Sequence, residues 1–186
     1  RERNRMKKKN DWHPQTTSVR GYYYPEWSEG AASVPIIMAT SFKQKRAIDL
    51  SNSFDPEGGS NELLYVRMNA PNAEIFEDRF RHWDGADESV LFPTGMAAID
   101  ALFQELLQKN DVVIFSEPLY GCTDTLLRKK LPQEKNIISI GFSPDDTFES
   151  MCEKYARALR HHSFRRLGMI FIETPQNPTI ELVDIE

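Results

Sequence analysis

Residues 88–115 read ESVLFPTGMAAIDALFQELLQKNDVVIF, and this stretch joins strand-like and helix-like segments directly. Glu88–Phe92 and Asp111–Phe115 are short apolar runs with the composition of buried strands. Between them, Met96–Gln108 repeats apolar residues at the three- and four-residue spacing of an amphipathic helix. A strand, a helix and a second strand of these lengths predict a βαβ unit with parallel strands.

The same alternation continues towards the C-terminus. The predicted elements are a helix at Thr123–Lys130 that stops near Pro132, a strand at Asn136–Ile140, a helix at Thr147–His162 and a strand at Leu167–Ile172. The pattern therefore predicts an α/β fold around a mostly parallel sheet with helices on both faces. Another helix is expected to begin at Val183–Glu186, so we expect this sheet to be incomplete within the chain.

The N-terminal third has a different character. Residues 1–60 show little periodicity, and the loop SNSFDPEGGSNE at residues 51–62 is rich in Ser, Asn, Gly and Pro. We therefore expect an extended arm at 1–60 that lies across another surface, and a folded domain at 61–186. The first predicted helix of that domain is Asn72–Trp83, with Asn72 as its N-cap and Gly85 as its stop.

Composition and charge limit the function classes. Hydrophobic residues make up 40% and charged residues 27%, as in ordinary globular proteins. The net charge is −5, but the first ten residues carry six basic side chains and one acidic, so the others sum to −10. The basic segment is either a solvated tail or an arm for nucleic acid or membrane. A tail is favoured, because an acidic body repels phosphate backbones.

The cysteines and the apolar segments indicate the cellular compartment. Cys122 and Cys152 stand far apart, which gives neither a disulfide framework nor a zinc site. No apolar run approaches the ~20 residues needed to span a bilayer, and no secretory signal is recognisable. We therefore expect a cytoplasmic protein with no metal site, no membrane partner and no nucleic-acid partner.

Ligands of parallel α/β sheets bind at the carboxyl ends of the strands, and three turns there carry unusual residues. Gly95 and Met96 open the first predicted helix of the βαβ unit, where free backbone N–H groups favour a phosphate. Tyr120 follows the strand that ends at Phe115, and it is either a core aromatic or a ring that stacks on a flat ligand. Glu173 and Asn177 lie in a loop that two prolines stiffen.

A fourth candidate lies outside the sheet, in the segment YVRMNAPN at residues 65–72. Alternation places Tyr65 and Arg67 on one side of an extended segment. The planar guanidinium and the phenol are both suited to binding phosphate, although an ordinary exposed pair is the favoured interpretation of this segment in isolation.

Taken together, the motifs YVRMNAPN, TGMAA, LYGCT and ETPQNPT resemble the trans-sulfuration (cysteine/methionine metabolism) family of pyridoxal-phosphate (PLP) enzymes. The resemblance runs from about Gly30 to Ile185 of this chain. It is to the N-terminal portion of the family's enzymes only. It implies a fold-type I PLP-transferase-like large domain that is preceded by an extended N-terminal arm. The chain resembles methionine γ-lyase, cystathionine γ-lyase and cystathionine γ-synthase. The cysteine in LYGCT modestly favours the methionine γ-lyase branch.

The resemblance also assigns residue roles. It implies that Tyr65 and Arg67 reach the cofactor phosphate of a neighbouring subunit in a homodimer or homotetramer. Gly95 and Met96 would bind the same phosphate through backbone N–H groups. Tyr120 would stack on the PLP ring and act in catalysis as a proton carrier. Asn177 would bond the ring hydroxyl, with Glu173 beside it.

The Schiff-base lysine of such enzymes has no counterpart here, because no lysine of the chain stands in a Ser/Thr-flanked loop at a strand end. The resemblance therefore implies a PLP-dependent carbon–sulfur lyase or γ-replacement enzyme acting on a small amino-acid substrate, with this piece inactive alone. Open alternatives are a cystathionine γ-synthase or O-acetylhomoserine sulfhydrylase-type transferase, and a non-catalytic short form that binds a full-length partner. A nucleotide-binding domain is poorly supported, because neither glycine-rich phosphate motif is present.

Overall fold

The computed structural model describes residues 12–52, 54, 63–160 and 166–185. The basic N-terminal segment, most of the loop SNSFDPEGGSNE and the end of the helix predicted to reach His162 lie outside the described residues. The chain forms two compact units, of which the first ends at Leu91 and the second begins at Phe92.

The first unit contains little regular structure before its last helix. Its elements are helix α1 (Pro14–Arg20), a 3-10 helix (Pro25–Ser28), α2 (Ala47–Asn52) and α3 (Pro71–Asp84). Among the described residues that join them, an isolated antiparallel bridge pairs Ser41 with Tyr65. Helices α1 and α3 pack together. The Arg79 side chain of α3 donates hydrogen bonds to the carbonyls of Val19, in the last turn of α1, and of Gly21, which directly follows that helix.

Helix α3 confirms the predicted helix but corrects its N-cap. The helix begins at Pro71, so Ala70 and not Asn72 is the capping residue. The Asn72 side chain instead accepts a hydrogen bond from the Ile37 N–H and donates one to the Pro35 carbonyl, both at 2.8 Å. Proline suits the first helical position because its missing N–H would have no partner there. Asn72 thus binds the preceding segment to α3.

Three parallel strands form the sheet of the second unit. They are β1 (Val112–Ser116), β2 (Ile138–Phe142) and β3 (Leu167–Phe171), in the spatial order β2-β1-β3. The central strand β1 is buried along its whole length. This arrangement confirms the predicted α/β fold with a parallel sheet, and it moves the second strand two residues towards the C-terminus.

The prediction of a strand at Glu88–Phe92 is wrong. These residues have no strand structure, and no strand of the described residues pairs with them. The Leu91 N–H instead donates a hydrogen bond to Oε1 of Glu77, at 2.8 Å. A β-strand needs a neighbouring strand to satisfy its backbone groups, and apolar composition alone does not supply one.

Helix α4 (Gly95–Leu106) precedes β1, and helices connect the three strands, as predicted. These are α5 (Gly121–Thr125), a π-helical turn (Leu126–Lys130) and α6 (Leu131–Lys135) between β1 and β2, and α7 (Phe148–Leu159) between β2 and β3. The helical run after β1 was predicted to stop near Pro132, but it continues to Lys135. The widened π turn precedes Pro132, and a wider turn moves the carbonyl that the proline ring would otherwise meet.

The core of the second unit lies between β1 and the helices that flank it. Phe103 of α4 and Phe115 of β1 are fully buried in a cluster that includes Leu127 and Leu131 from the helical run. Phe103 also packs edge-on against Phe171 of β3, with ring centroids 5.1 Å apart. This packing holds α4 against β1 and β3. Within the described part of the chain, no helix is both long and apolar enough to cross a bilayer.

Candidate functional site

The carboxyl ends of β1 and β3 are held together by Ser116 and Glu173. Because the strands are parallel neighbours, the loops that follow them start side by side. The Glu173 N–H donates a hydrogen bond to Oγ of Ser116 at 2.9 Å, and the Ser116 side chain is fully buried. Buried polar groups need partners, so this bond fixes where the loop after β3 begins.

Tyr120 and Glu173, which were predicted separately, lie in direct contact. The backbone N–H of Tyr120 donates a hydrogen bond to Oε2 of Glu173, at 3.2 Å. The carboxylate of one loop therefore holds the backbone of the other. The Tyr120 side chain is 45% exposed, so its ring remains open to a ligand.

The turn before α4 has the features expected of an anion site. The Thr94 hydroxyl caps the helix by accepting a hydrogen bond from the Ala97 N–H at 3.0 Å. In the described part of the chain, no acceptor bonds the N–H of Gly95 or Met96. A Cβ atom placed at Gly95 would meet no atom within 4 Å, so the space beside this residue is open. Two free N–H groups at the positive end of a 12-residue helix suit a phosphate.

A contact between Met96 and Thr123 connects this turn to the Tyr120 loop. The hydroxyl of Thr123 lies 3.6 Å from Sδ of Met96 in hydrogen-bonding geometry, and Thr123 is fully buried. Thr123 lies in α5, which begins directly after Tyr120. The predicted anion site and the predicted stacking ring thus belong to neighbouring, packed elements.

The Tyr120 hydroxyl has an altered acidity. A hydrogen bond with the Cys122 side chain, with a further electrostatic contribution from the same group, raises the pKa of Tyr120 above its usual value of 10. Tyr120 therefore keeps its proton at neutral pH, and its Oη remains a hydrogen-bond donor.

Asn177 lies in the same loop as Glu173 and is exposed. The neighbouring residue Gln176 is 2% exposed, and its backbone groups bond to Glu181 and Ile180. The loop is thus folded around Gln176 and presents Asn177 outward. No hydrogen bond joins the Asn177 side chain to another candidate residue in the described part of the chain.

Tyr65 and Arg67 belong to the first unit, where they contact each other. The Arg67 guanidinium lies 5.1 Å from the Tyr65 ring centroid, so the two side chains do share one side. The reason differs from the predicted alternation, because residues 66–68 form a turn in which the Met68 N–H bonds to the Tyr65 carbonyl at 2.8 Å. Both side chains are exposed.

Sequence reasoning missed three residues that organise this region. Ser116 bonds Glu173, while Glu117 and Arg128 form an ion pair beside the Tyr120 loop. A polar residue that directly follows an apolar strand was a signal for Ser116. The i,i+4 spacing of Asp124 and Arg128 was a local signal for one bond of Arg128, but no local pattern marks its pair with Glu117, eleven residues earlier.

Comparison with known proteins places this geometry in context. The model of the family described as Cys/Met metabolism PLP-dependent enzyme matches residues 15–186. A cystathionine beta-lyase of Bacillus subtilis is 29% identical over 180 residues, which cover 96% of this chain and 40% of the relative. An L-methionine gamma-lyase of Pseudomonas deceptionensis is 28% identical over 95% of this chain and 42% of the relative.

A solved structure has the same fold. It is an O-acetylhomoserine (thiol)-lyase from Campylobacter jejuni, with N'-pyridoxyl-lysine-5'-monophosphate at its position 205. The TM-score is 0.77 at 23% identity, and the match covers 94% of this chain and 40% of that one. The chain therefore spans about 40% of the length of the curated relatives and of the structure it matches.

Proposed function

This chain belongs to the family of Cys/Met metabolism PLP-dependent enzymes, and on that basis we propose that the complete protein is a carbon–sulfur lyase or γ-replacement enzyme. Its substrate would be a sulfur amino acid such as methionine or cystathionine. The similar lyases support this proposal, and the chain spans about 40% of their length. A γ-synthase or O-acetylhomoserine sulfhydrylase-type transferase is the alternative within the same family.

The observation that carries the proposal is the start of α4. Gly95 and Met96 combine free N–H groups, open space and the positive end of a helix dipole. These residues fit the phosphate of PLP, because a phosphate needs several donors and no side chain in its way. We assign the phosphate contact to these two N–H groups.

Tyr120 fits the role of the ring contact. Its side chain is 45% exposed while its backbone is tied to Glu173. An aromatic side chain with a fixed backbone and a free face can stack on a flat pyridine ring. We assign this contact to Tyr120, the ring hydroxyl contact to Asn177, and the positioning of Tyr120 to Glu173.

PLP, when bound, supplies an electron-poor ring that draws electron density from the α-carbon of an amino acid. Cys122 raises the pKa of Tyr120, so Oη holds its proton at neutral pH. We propose that Tyr120 Oη carries a proton during elimination and that it starts in the protonated form.

The covalent lysine is not assigned within the described residues. Lys135 donates hydrogen bonds to the carbonyls of Gln104 and Leu107, and Lys154 pairs with Asp146. We propose that a full catalytic cycle requires residues outside this chain. In the same proposal, Tyr65 and Arg67 serve the phosphate of a neighbouring subunit in a cytoplasmic homo-oligomer.

Binding of a cofactor analogue to the 186-residue chain tests the proposal. Pyridoxine 5'-phosphate is the suitable probe, because it has no aldehyde and cannot react with surface lysines. Equilibrium dialysis should show one saturable site, with competition by inorganic phosphate. Replacement of Tyr120 by Leu should weaken pyridoxine phosphate binding and leave inorganic phosphate binding unchanged. Absence of saturable binding of both probes would contradict the proposed site.

The choice of reaction requires the complete protein. Release of an α-keto acid from methionine or cystathionine would identify a lyase. Replacement chemistry on O-acetylhomoserine with an added thiol, without such release, would identify the transferase.

A further inference from the structure

The loop from Glu117 to Tyr120 is bound at both ends. At its start, the Glu117 N–H donates a hydrogen bond to the Phe142 carbonyl at 2.8 Å. At its end, the Tyr120 N–H bonds to Glu173. The loop backbone is therefore tied to β2 on one side and to the loop after β3 on the other.

Arg128 adds a connection across this loop. Its guanidinium pairs with the carboxylate of Glu117, and its Nε donates a hydrogen bond to Oδ1 of Asp124 at 2.6 Å. The same group lies over the Phe115 ring, 4.8 Å from the centroid. One planar side chain therefore bonds residues on both sides of Tyr120 in sequence. The fork geometry of arginine permits this, whereas a lysine ammonium has no such rigid fork.

The Glu117 side chain also lies against β2. A Cβ atom built at Gly141 would lie 2.2 Å from Oε2 of Glu117, which is closer than real contacts allow. Glycine at this position therefore gives the carboxylate the room it occupies. Glu117 is thus packed between Gly141 and Arg128 and is not a freely moving surface carboxylate.

We propose that Arg128 and Glu117 are a positioning pair that fixes the Tyr120 loop, and with it the ring face offered to the cofactor. This inference rests on the proposed function, because it assumes that Tyr120 stacks on the pyridine ring. Neither residue touches the cofactor in this proposal. Both act through the backbone between β1 and α5.

The exposure of the pair determines which property it controls. The Arg128 and Glu117 side chains are 42% and 38% exposed. Ion pairs this exposed contribute little to global stability. Loss of the pair should therefore loosen the Tyr120 loop while the fold remains intact. The two N–H groups of Gly95 and Met96 should also keep their positions, because α4 holds them.

Two probes separate these effects. Pyridoxine 5'-phosphate engages both the N–H groups and the ring contact, whereas inorganic phosphate engages the N–H groups alone. Arg128→Met keeps much of the side-chain stem and removes the guanidinium. This variant should raise the Kd for pyridoxine phosphate about fivefold and change the Kd for inorganic phosphate by less than about twofold. Glu117→Ala should have a similar effect. The double variant should bind pyridoxine phosphate no more weakly than the weaker-binding of the two single variants.

A matched control is available in the first unit. Arg46, whose side chain is 73% exposed, forms an ion pair with Asp49, and Arg46→Met should leave both affinities unchanged. Equal loss of both probes in Arg128→Met would indicate a general structural defect and overturn the inference. If the unmodified chain binds both probes and Arg128→Met binds pyridoxine phosphate equally well, the inference is also overturned. The proposed function would stand in that case. If the unmodified chain binds neither probe, the proposed function itself fails.

Discussion

Oε2 of Glu173, in the loop after β3, accepts a hydrogen bond from the backbone N–H of Tyr120, in the loop after β1, at 3.2 Å. Two parallel strands thus deliver their loops to one place, and a single carboxylate joins them. Hydrogen bonds to charged groups are stronger than those between neutral groups. The position of the Tyr120 backbone therefore depends on the side chain of a residue 53 positions later.

Removal of this carboxylate should free the Tyr120 amide. Glu173→Ala should speed hydrogen exchange at that amide roughly fivefold, which corresponds to the loss of a bond worth about 1 kcal/mol. Glu173→Gln should preserve most of the protection, because its amide oxygen still accepts. Residue-resolved exchange by NMR measures the effect, with the exposed Glu105→Ala as control. Equal exchange in the alanine and glutamine variants would show that the bond does not hold the loop.

The capping threonines provide a matched pair of stability variants. Thr94 caps α4 and Thr147 caps α7, each through its hydroxyl. Thr94→Ala and Thr147→Ala should each lower the free energy of unfolding by about 1 kcal/mol. Only Thr94→Ala should also weaken inorganic phosphate binding, because only α4 starts at the proposed phosphate site. Urea unfolding and equilibrium dialysis measure the two effects. Weaker phosphate binding in Thr147→Ala would argue against a site at α4.

Asp146 should make stability depend on acid pH. Hydrogen bonds from Lys154, the Ser143 N–H and Ser150 lower the pKa of Asp146 from 3.8 to about 2. Its carboxylate therefore contributes stability that is fully present above pH 4 and is lost as the pH falls from about 4 to about 2.

Asp146→Asn tests this dependence. The variant should be less stable than the unmodified chain at pH 7, and the difference should vanish near pH 2. Urea midpoints across this range provide the measurement. Asp145→Asn, at the exposed neighbouring position, controls for the change in net charge. A difference for Asp146→Asn that stayed constant down to pH 2 would refute the assignment.

Gln176 contains a buried amide whose Nε2 and Oε1 find no hydrogen-bond partner among the described residues. An unpaired buried polar group costs about 1–3 kcal/mol. Replacement by the similarly long, apolar Met should therefore raise the free energy of unfolding by about 1 kcal/mol, measured in urea. Gln133→Met, at an exposed position, should change little. Destabilisation by Gln176→Met would show that the amide has a partner, such as water.

The sequence by itself was enough to predict most of the helices and strands of the second unit. Apolar runs and helical spacing predicted β1, β3 and α4, because these elements bury one face or a whole strand in a core and must repeat accordingly. The motifs around Gly95, Tyr120 and Glu173 indicated the family. They did so by resemblance, and the match of the family model over residues 15–186 confirms the family.

Other features depended on contacts between residues distant in sequence. The run Glu88–Phe92 has strand composition but no pairing strand among the described residues, and Asn72 binds the segment at Pro35–Ile37 and does not cap α3. The bonds of Glu173 to Ser116 and Tyr120 arise only because β1 and β3 lie side by side. Local patterns specify local structure, whereas pairing and side-chain partners are decided by which elements the folded chain brings together.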